Sequence, residues 1–244
     1  MNCDKSFKVT VNTLLNDTRL PLKTWFYAFS IISDAKKGLS AMQLQRNLNI
    51  GYPTAWKMYH KIRAIMNDEN IEIVLDDRIR ELKKAGIIFK RGKENPAKPD
   101  LYPKRGAGTK RPKIVGIVKR DGQVVAQVMK ELGYKSSKKM VENYVDKDRS
   151  VLITDEKKDY NRMSNIIEHL KINHKKMYSY KGVNTNTIES FWAIIKRGLI
   201  GQYHQVSTKH LLKYIAEFVF KYNNRKEDEA TFYILLQNAL KPIN

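Results

Sequence analysis

The stretch 184–203, NTNTIESFWAIIKRGLIGQY, decides how the rest of the chain is read. Ile188, Phe191, Trp192, Ile195 and Leu199 recur at helical spacing and make one apolar face. Asn184 or Thr185 can cap its start, and Gly198 and Gly201 offer stops. Glu189 and Lys196 flank that face. They stand seven residues apart, so their side chains line up within about 20° after two turns. A carboxylate at the edge of a buried stripe, with a cation two turns along, suits a helix that holds a metal ion near a phosphate. A solvated pair at the boundary of an apolar face gives the same pattern, and taken alone it is the commoner case.

The residues upstream weigh on that choice. Residues 71–76, IEIVLD, form a short β-rich run ending at Asp76 and Asp77, and Arg78 to Ala85 can be helical. Residues 113–132 read as a hairpin, KIVGIVKR and QVVAQVMKEL joined by Asp121-Gly122. A helix is expected over 137–145. SVLIT at 150–154 has the composition of a buried strand and runs into Asp155. A further helix is expected over 157–170, and a last amphipathic one over 207–224. In this order, two strand-end acids (Asp76 and Asp155) and one helix acid (Glu189) can converge at one sheet edge. Three carboxylates are what a two-metal phosphoryl-transfer site needs, with the ions roughly 3.5–4 Å apart. Magnesium favours such oxygen donors. Each acid also has a plain reading: a surface strand end for Asp76 or Asp77, a helix cap for Asp155, and a first-turn acid favoured by the helix dipole for Glu189.

Charge favours the catalytic reading. The chain has 46 Lys and Arg against 25 acids, a net +21 over 244 residues, which points to a polyanionic partner. The stretch 83–113 holds eleven Lys or Arg, two acids and four Pro. It reads as a broken basic loop that can lie along a phosphate backbone, with Lys104, Arg105, Lys110 and Arg111 as contacts. No apolar run approaches a membrane span, and the start lacks a signal-peptide pattern. The single cysteine, Cys3, excludes a disulfide framework and cannot by itself build a tetrahedral zinc site. Cytoplasmic residence follows as the expectation.

Nearer the start, three helices are expected: 22–37, 41–48 with Ser40 as its cap, and Thr54 to about Met66. The turn Asn49-Ile50-Gly51 between the last two gives a helix-turn-helix pattern. The third helix is expected to present Thr54, Lys57, His60, Lys61 and Arg63 outward, as a groove-reading helix does. A plain three-helix bundle with a basic face is the alternative.

These segments together resemble a known family. TNTIESFWAIIKRGLIGQYHQVSTKHLLKYIAEFVFKYNNR (185–225) resembles the C-terminal signature of bacterial insertion-sequence transposases of the DDE type, the ISXO-like group. VLITDEKKDYN (151–161) is similar to that family's second-Asp motif, and 15–63 to its helix-turn-helix segment. The resemblance implies an α/β (α+β) architecture: a helical DNA-binding segment over 22–69, then an RNase H-like mixed-sheet domain over 70–225, with a tail over 226–244. It implies metal ligands and catalytic acids at Asp76, Asp155 and Glu189, and two Mg²⁺ or Mn²⁺ ions. Lys196 corresponds to the basic residue two turns after the third acid, with Arg197 beside it on DNA, and Asn186 stands as a lesser candidate for the third role. The implied partners are the element's terminal inverted repeats and target DNA, met as a homodimer or higher assembly at the bacterial nucleoid. Two departures accompany it. Asp76 is followed by Asp77, Arg78, Ile79, Arg80 and Glu81 instead of the family's Thr-Tyr-x-Gly-Gly type of pattern. Residues 1–21 hold only Cys3 of a four-cysteine zinc ribbon, so the chain reads as truncated at its start and zinc is not expected. The alternative function is a transposase remnant that binds specific DNA without catalysis.

Overall fold

The computed structural model describes residues 8, 10–67, 79–86, 113–129, 133–173, 183–204, 206–226 and 228–242. The chain divides into two compact units, Met1–Asp68 with Ala216–Asn244, and Glu69–Ile215.

The first unit is helical. Helix α1 (Leu22–Asp34) buries Trp25, Ala28, Phe29 and Ile32, the i, i+3, i+4, i+7 stripe of an amphipathic helix. Helix α2 (Ala41–Leu48) starts at Ser40, whose hydroxyl accepts from the Gln43 amide at 3.1 Å. It ends at Asn49, in the left-handed region at φ 51°. Helix α3 (Tyr52–Met66) follows with a proline in its first turn, where no amide hydrogen is missed. The other half of this unit comes from the far end of the chain. The stretch 226–244, expected as a tail, instead holds a helix, α7 (Asp228–Leu240). Its Leu235 and Ala239 are fully buried in one cluster with Leu14, Phe29, Leu44, Tyr59 and Phe220. The Leu14 backbone amide donates to the Ala239 carbonyl, and the Asn238 side-chain Nδ2 to the Ile65 carbonyl.

The second unit is a five-stranded mixed sheet. Strands β1 (Ile79–Gly86), β2 (Lys113–Lys119) and β3 (Val124–Met129) pair antiparallel, while β4 (Val151–Asp155) lies parallel to β1 and β5 (Glu168–Ile172) parallel to β4. The order across the sheet is β3-β2-β1-β4-β5. A three-stranded meander extended by parallel strands on the side of its first strand is the RNase H-like arrangement. The hairpin turn falls at Asp121-Gly122 as expected, and Asp121 itself takes the left-handed conformation, φ 59°.

Packing alternates with the pleat. Val115 and Ile117 of β2, Val125 of β3 and Leu152 of β4 pack with Met140 and Val141 of helix α4 (Tyr134–Tyr144) on one face. The opposite face meets helix α5 (Asn186–Arg197), which buries Ile188, Phe191, Trp192 and Ile195. Gly116 is where α5 comes closest to β2. A methyl group there would lie 2.6 Å from Trp192 Cζ2 and 3.5 Å from Ile188 Cδ1, so only glycine admits the indole. Helix α6 (Leu211–Asn223) completes the elements.

Two expectations need correction. Within Arg78 to Ala85, the described residues Ile79–Ala85 are strand, not helix, because β1 spans them and draws Lys83, Lys84, Ala85 and Gly86 out of the expected basic loop. The run expected to be β-rich, 71–76, lies outside the described residues. The helix expected over 157–170 is instead two single 3-10 turns, Lys158–Tyr160 and Met163–Asn165, followed by β5. Asp159, Asn161, Ser164 and Asn165 favour turns, since their short polar side chains compete for backbone groups. The edge of β4 then takes up Glu168–Ile172 as a parallel strand. The central α-helix ends at Arg197 with Gly198 as its C-cap, as expected, and a π turn, Gly198–Gln202, follows it.

Candidate active site and nucleic-acid face

Asp155 is the last residue of β4. Because Leu152 faces α4, alternation directs Asp155 to the α5 side of the sheet. Its level is fixed by register. Leu82 pairs with Thr154, so position 83 is the neighbour of Asp155, and position 83 pairs in turn with Gly116. Gly116 is the residue under Trp192 and Ile188. Asp155 and Gly116 therefore stand level on one sheet face, two strand spacings or about 10 Å apart along the sheet, and α5, whose first turn carries Glu189, packs over that face at Gly116.

Local structure orients both carboxylates. The Asp155 side chain is 13% exposed, with Lys157 Nζ 3.6 Å from Oδ2. The Lys157 amide also donates to Oδ1 at 3.4 Å, an Asx-type turn that holds the carboxylate where the chain leaves the sheet. Glu189 is half-buried in the first turn of α5, and its Oε1 accepts from the buried Thr185 hydroxyl at 3.0 Å. Thr185 precedes the helix but spends its hydroxyl on Glu189 and caps no amide. Lys196 and Arg197 are exposed in the last turn of α5, and Asn186 is exposed at its start.

Asp76, Asp77, Lys104, Arg105, Lys110 and Arg111 lie outside the described residues, as does Cys3. Among the described residues no group of three His, Cys, Asp or Glu forms a metal cluster. Asp155 at the end of β4 and Glu189 in the first turn of α5 are each oxygen donors of the kind that hard divalent cations take.

On α3, Lys57 and Lys61 are exposed and Thr54 half-buried, in keeping with an outward face. Arg63 and His60 are not on it. Arg63 is 2% exposed, and its Nε donates to Glu217 Oε2 of α6 at 2.7 Å. Glu217, fully buried, also accepts from Tyr59 Oη at 2.6 Å and Lys221 Nζ at 2.8 Å. Lys221 Nζ donates onward to the Ala35 carbonyl at 2.8 Å. The Arg63 guanidinium lies 3.6 Å from the centre of the Tyr59 ring. Burial alone would raise the Glu217 carboxyl, but Lys221 and Arg63, with the bonds from Lys221 and Tyr59, outweigh it and hold the pKa down at about 2. Arg63 is thus withdrawn from any DNA face. His60 is buried against Trp56, ring centres 4.2 Å apart.

Comparison with known proteins now adds to this geometry. The profile of the ISXO2-like transposase domain matches residues 89–223, more than half of the chain. The chain belongs to the ISXO2-like transposase family. The matched region runs from Phe89, after β1, to Asn223 at the end of α6, and so contains both Asp155 and Glu189. Among curated proteins none matches. Solved structures of the Mos1 transposase are loosely similar. Its strand transfer complex is 10% identical with a TM-score of 0.33, over 94% of this chain and 82% of that one. Its paired-end complex with the left transposon end is 10% identical with a TM-score of 0.35, over 93% and 83%. At such scores the fold assignment rests on the strand order and the family match. No helix among the described residues is long and apolar enough to cross a membrane.

Proposed function

We propose that this transposase binds the terminal inverted repeats of its own insertion sequence and carries out metal-dependent strand cleavage and strand transfer. The observation that carries the reading is the sheet face on which Asp155 stands level with Gly116 and over which α5, with Glu189 in its first turn, packs, inside the region matched to the family. Asp155 and Glu189, with Asp76 as the third acid, would hold two Mg²⁺ or Mn²⁺ ions. When bound, such ions supply an activated attacking oxygen and stabilise the leaving one. Lys157 Nζ stands 3.6 Å from Asp155 Oδ2, beside the same carboxylate. Lys196 and Arg197 lie along the DNA backbone, and Lys57, Lys61 and Thr54 meet the repeat, joined by Lys104, Arg105, Lys110 and Arg111. Two ends cut and joined together call for at least a dimer on the DNA, working at the bacterial nucleoid.

The test is cleavage of the DNA flanking the protein's own gene, with Mg²⁺, by wild type and Glu189→Gln. Matching nicks on both sides that vanish in the variant, with binding retained, are expected. Loss of binding and cleavage together would make Glu189 structural instead.

One observation favours a second reading, a protein that binds such ends without cutting them. Strand β1 is IRELKKAG and contains no aspartate, and its residue level with Asp155 is Lys83. Wild type that binds the repeats but neither nicks them nor responds to Mn²⁺ would establish it.

A further inference from the structure

Behind Asp155, on the opposite face of the sheet, lies a small polar arrangement that the proposed chemistry does not use. Thr154 is fully buried, and its Oγ1 donates to the Asp155 carbonyl at 2.9 Å. The same oxygen lies 2.8 Å from Nε2 of His169 on β5. A hydroxyl has one hydrogen, and a carbonyl only accepts. The Thr154 hydrogen is therefore committed to Asp155, and Nε2 of His169 must carry the proton that joins it to Thr154. Nδ1 of His169 is buried and has no partner among the described residues. An apolar side chain would fill this place without leaving a polar atom unsatisfied, so packing alone does not account for a histidine. Register agrees, since His169 pairs with Leu152 and thus shares the face to which Thr154 belongs.

We propose that His169 is a positioning residue for Asp155, acting through Thr154. The chain His169 Nε2–H to Thr154 Oγ1–H to the Asp155 carbonyl fixes the peptide that follows Asp155. That peptide is where the backbone turns out of the sheet, so fixing it sets the direction in which the Asp155 carboxylate leaves the strand. The relay resembles the outer hydrogen bonds that orient metal ligands, whose loss typically weakens metal binding by about 10–100-fold. The proposal rests on the reading that Asp155 is a metal-holding carboxylate.

The experiment is calorimetric titration of Mn²⁺ into the full chain, comparing wild type, Asp155→Asn, His169→Phe, His169→Gln and Thr154→Val, with a thermal melt of each. Thr154→Val keeps the shape of the side chain and removes only the hydroxyl, so it bears on the relay even if His169→Phe fails to fold. Glutamine can return a donor to the place of Nε2. The expected result is about 10-fold weaker Mn²⁺ binding in His169→Phe and Thr154→Val, near-wild-type binding in His169→Gln, and melting temperatures that do not follow this order. Wild-type binding that both Thr154→Val and His169→Phe leave unchanged overturns the positioning role alone, as does a His169→Gln as weak as His169→Phe. Wild type that binds no Mn²⁺, like Asp155→Asn, overturns the metal-site reading and this proposal with it.

Discussion

At Glu217, three donors converge on one buried carboxylate, and two of them are cations. Removing one partner leaves charge uncompensated in a place that water does not reach, which typically costs about 3–5 kcal/mol. Arg63→Ala should lower unfolding stability by that order, read from the urea midpoint, whereas an exposed Lys61→Ala should stay within about 0.5 kcal/mol. Acid should act through two groups in turn. Burial first, and then the Lys171 charge, pull the His169 pKa from 6.5 to about 4. The unfolded chain then binds a proton that the folded chain refuses, and stability falls as pH drops across that window. Glu217 adds a second loss between its ordinary 4.5 and about 2. Urea midpoints from pH 7 to pH 3 should show a decline beginning above pH 5, and His169→Gln should remove that upper part. Little of the Glu217 arrangement was legible in the sequence. Arg63 sits four residues after Tyr59, beside the apolar face, but a charged residue on a basic helix reads as solvated unless its partner is known. That partner lies 154 positions away. Asp155 and Glu189 were legible because each belongs to a local pattern, a strand end and a helix start.

Elements with a strong period were readable, and elements defined by their neighbours were not. Helices α1, α2, α3 and α5 and the β2–β3 hairpin follow from spacing and turn residues within the segment. Strand β5 does not, because Glu168–Ile172 alternates too briefly to declare itself and becomes a strand only beside β4. Strand β1, with three basic residues in eight, is likewise set by its pairing between β2 and β4. The contact of α5 with the sheet gives a sharp prediction. Gly116→Ala would drive a methyl group into Trp192, and should cost about 1–3 kcal/mol as overpacking does. Reduced urea stability of Gly116→Ala, relieved in part by adding Trp192→Phe, would confirm that the indole sets the limit. At α2, Ser40→Ala should cost about 1 kcal/mol through the lost cap.

Over the whole molecule, a net charge of +21 makes association with DNA strongly dependent on salt. Each lysine that neutralises a phosphate contributes about 0.9 to the slope of log affinity against log salt. Lys57→Ala and Lys61→Ala should each flatten that slope by about this amount on a repeat-containing duplex, while Arg63→Met, chosen to keep volume, should leave it unchanged wherever the protein stays folded. A flattening by Arg63→Met equal to that of the two lysines would return Arg63 to the DNA face.

The helical unit is assembled from two stretches far apart in the chain: Leu14 and Phe29 share a core with Leu235 and Ala239, and Arg63 waits for Glu217. On the ribosome, helices α1 to α3 therefore emerge long before the residues that bury them. Until α6 has left the exit tunnel, Arg63 and Tyr59 lack their carboxylate, and until α7 has followed, the apolar stripe of α1 lacks much of its cover. Synthesis that stops early yields helices without a core, so a prematurely ended product should fail to hold a reader of DNA ends. A chain ending at residue 68 should show weak helicity by circular dichroism and no cooperative melt, and full-length protein should regain both. For the proposed binding of element ends, this wiring would make completeness of translation a condition.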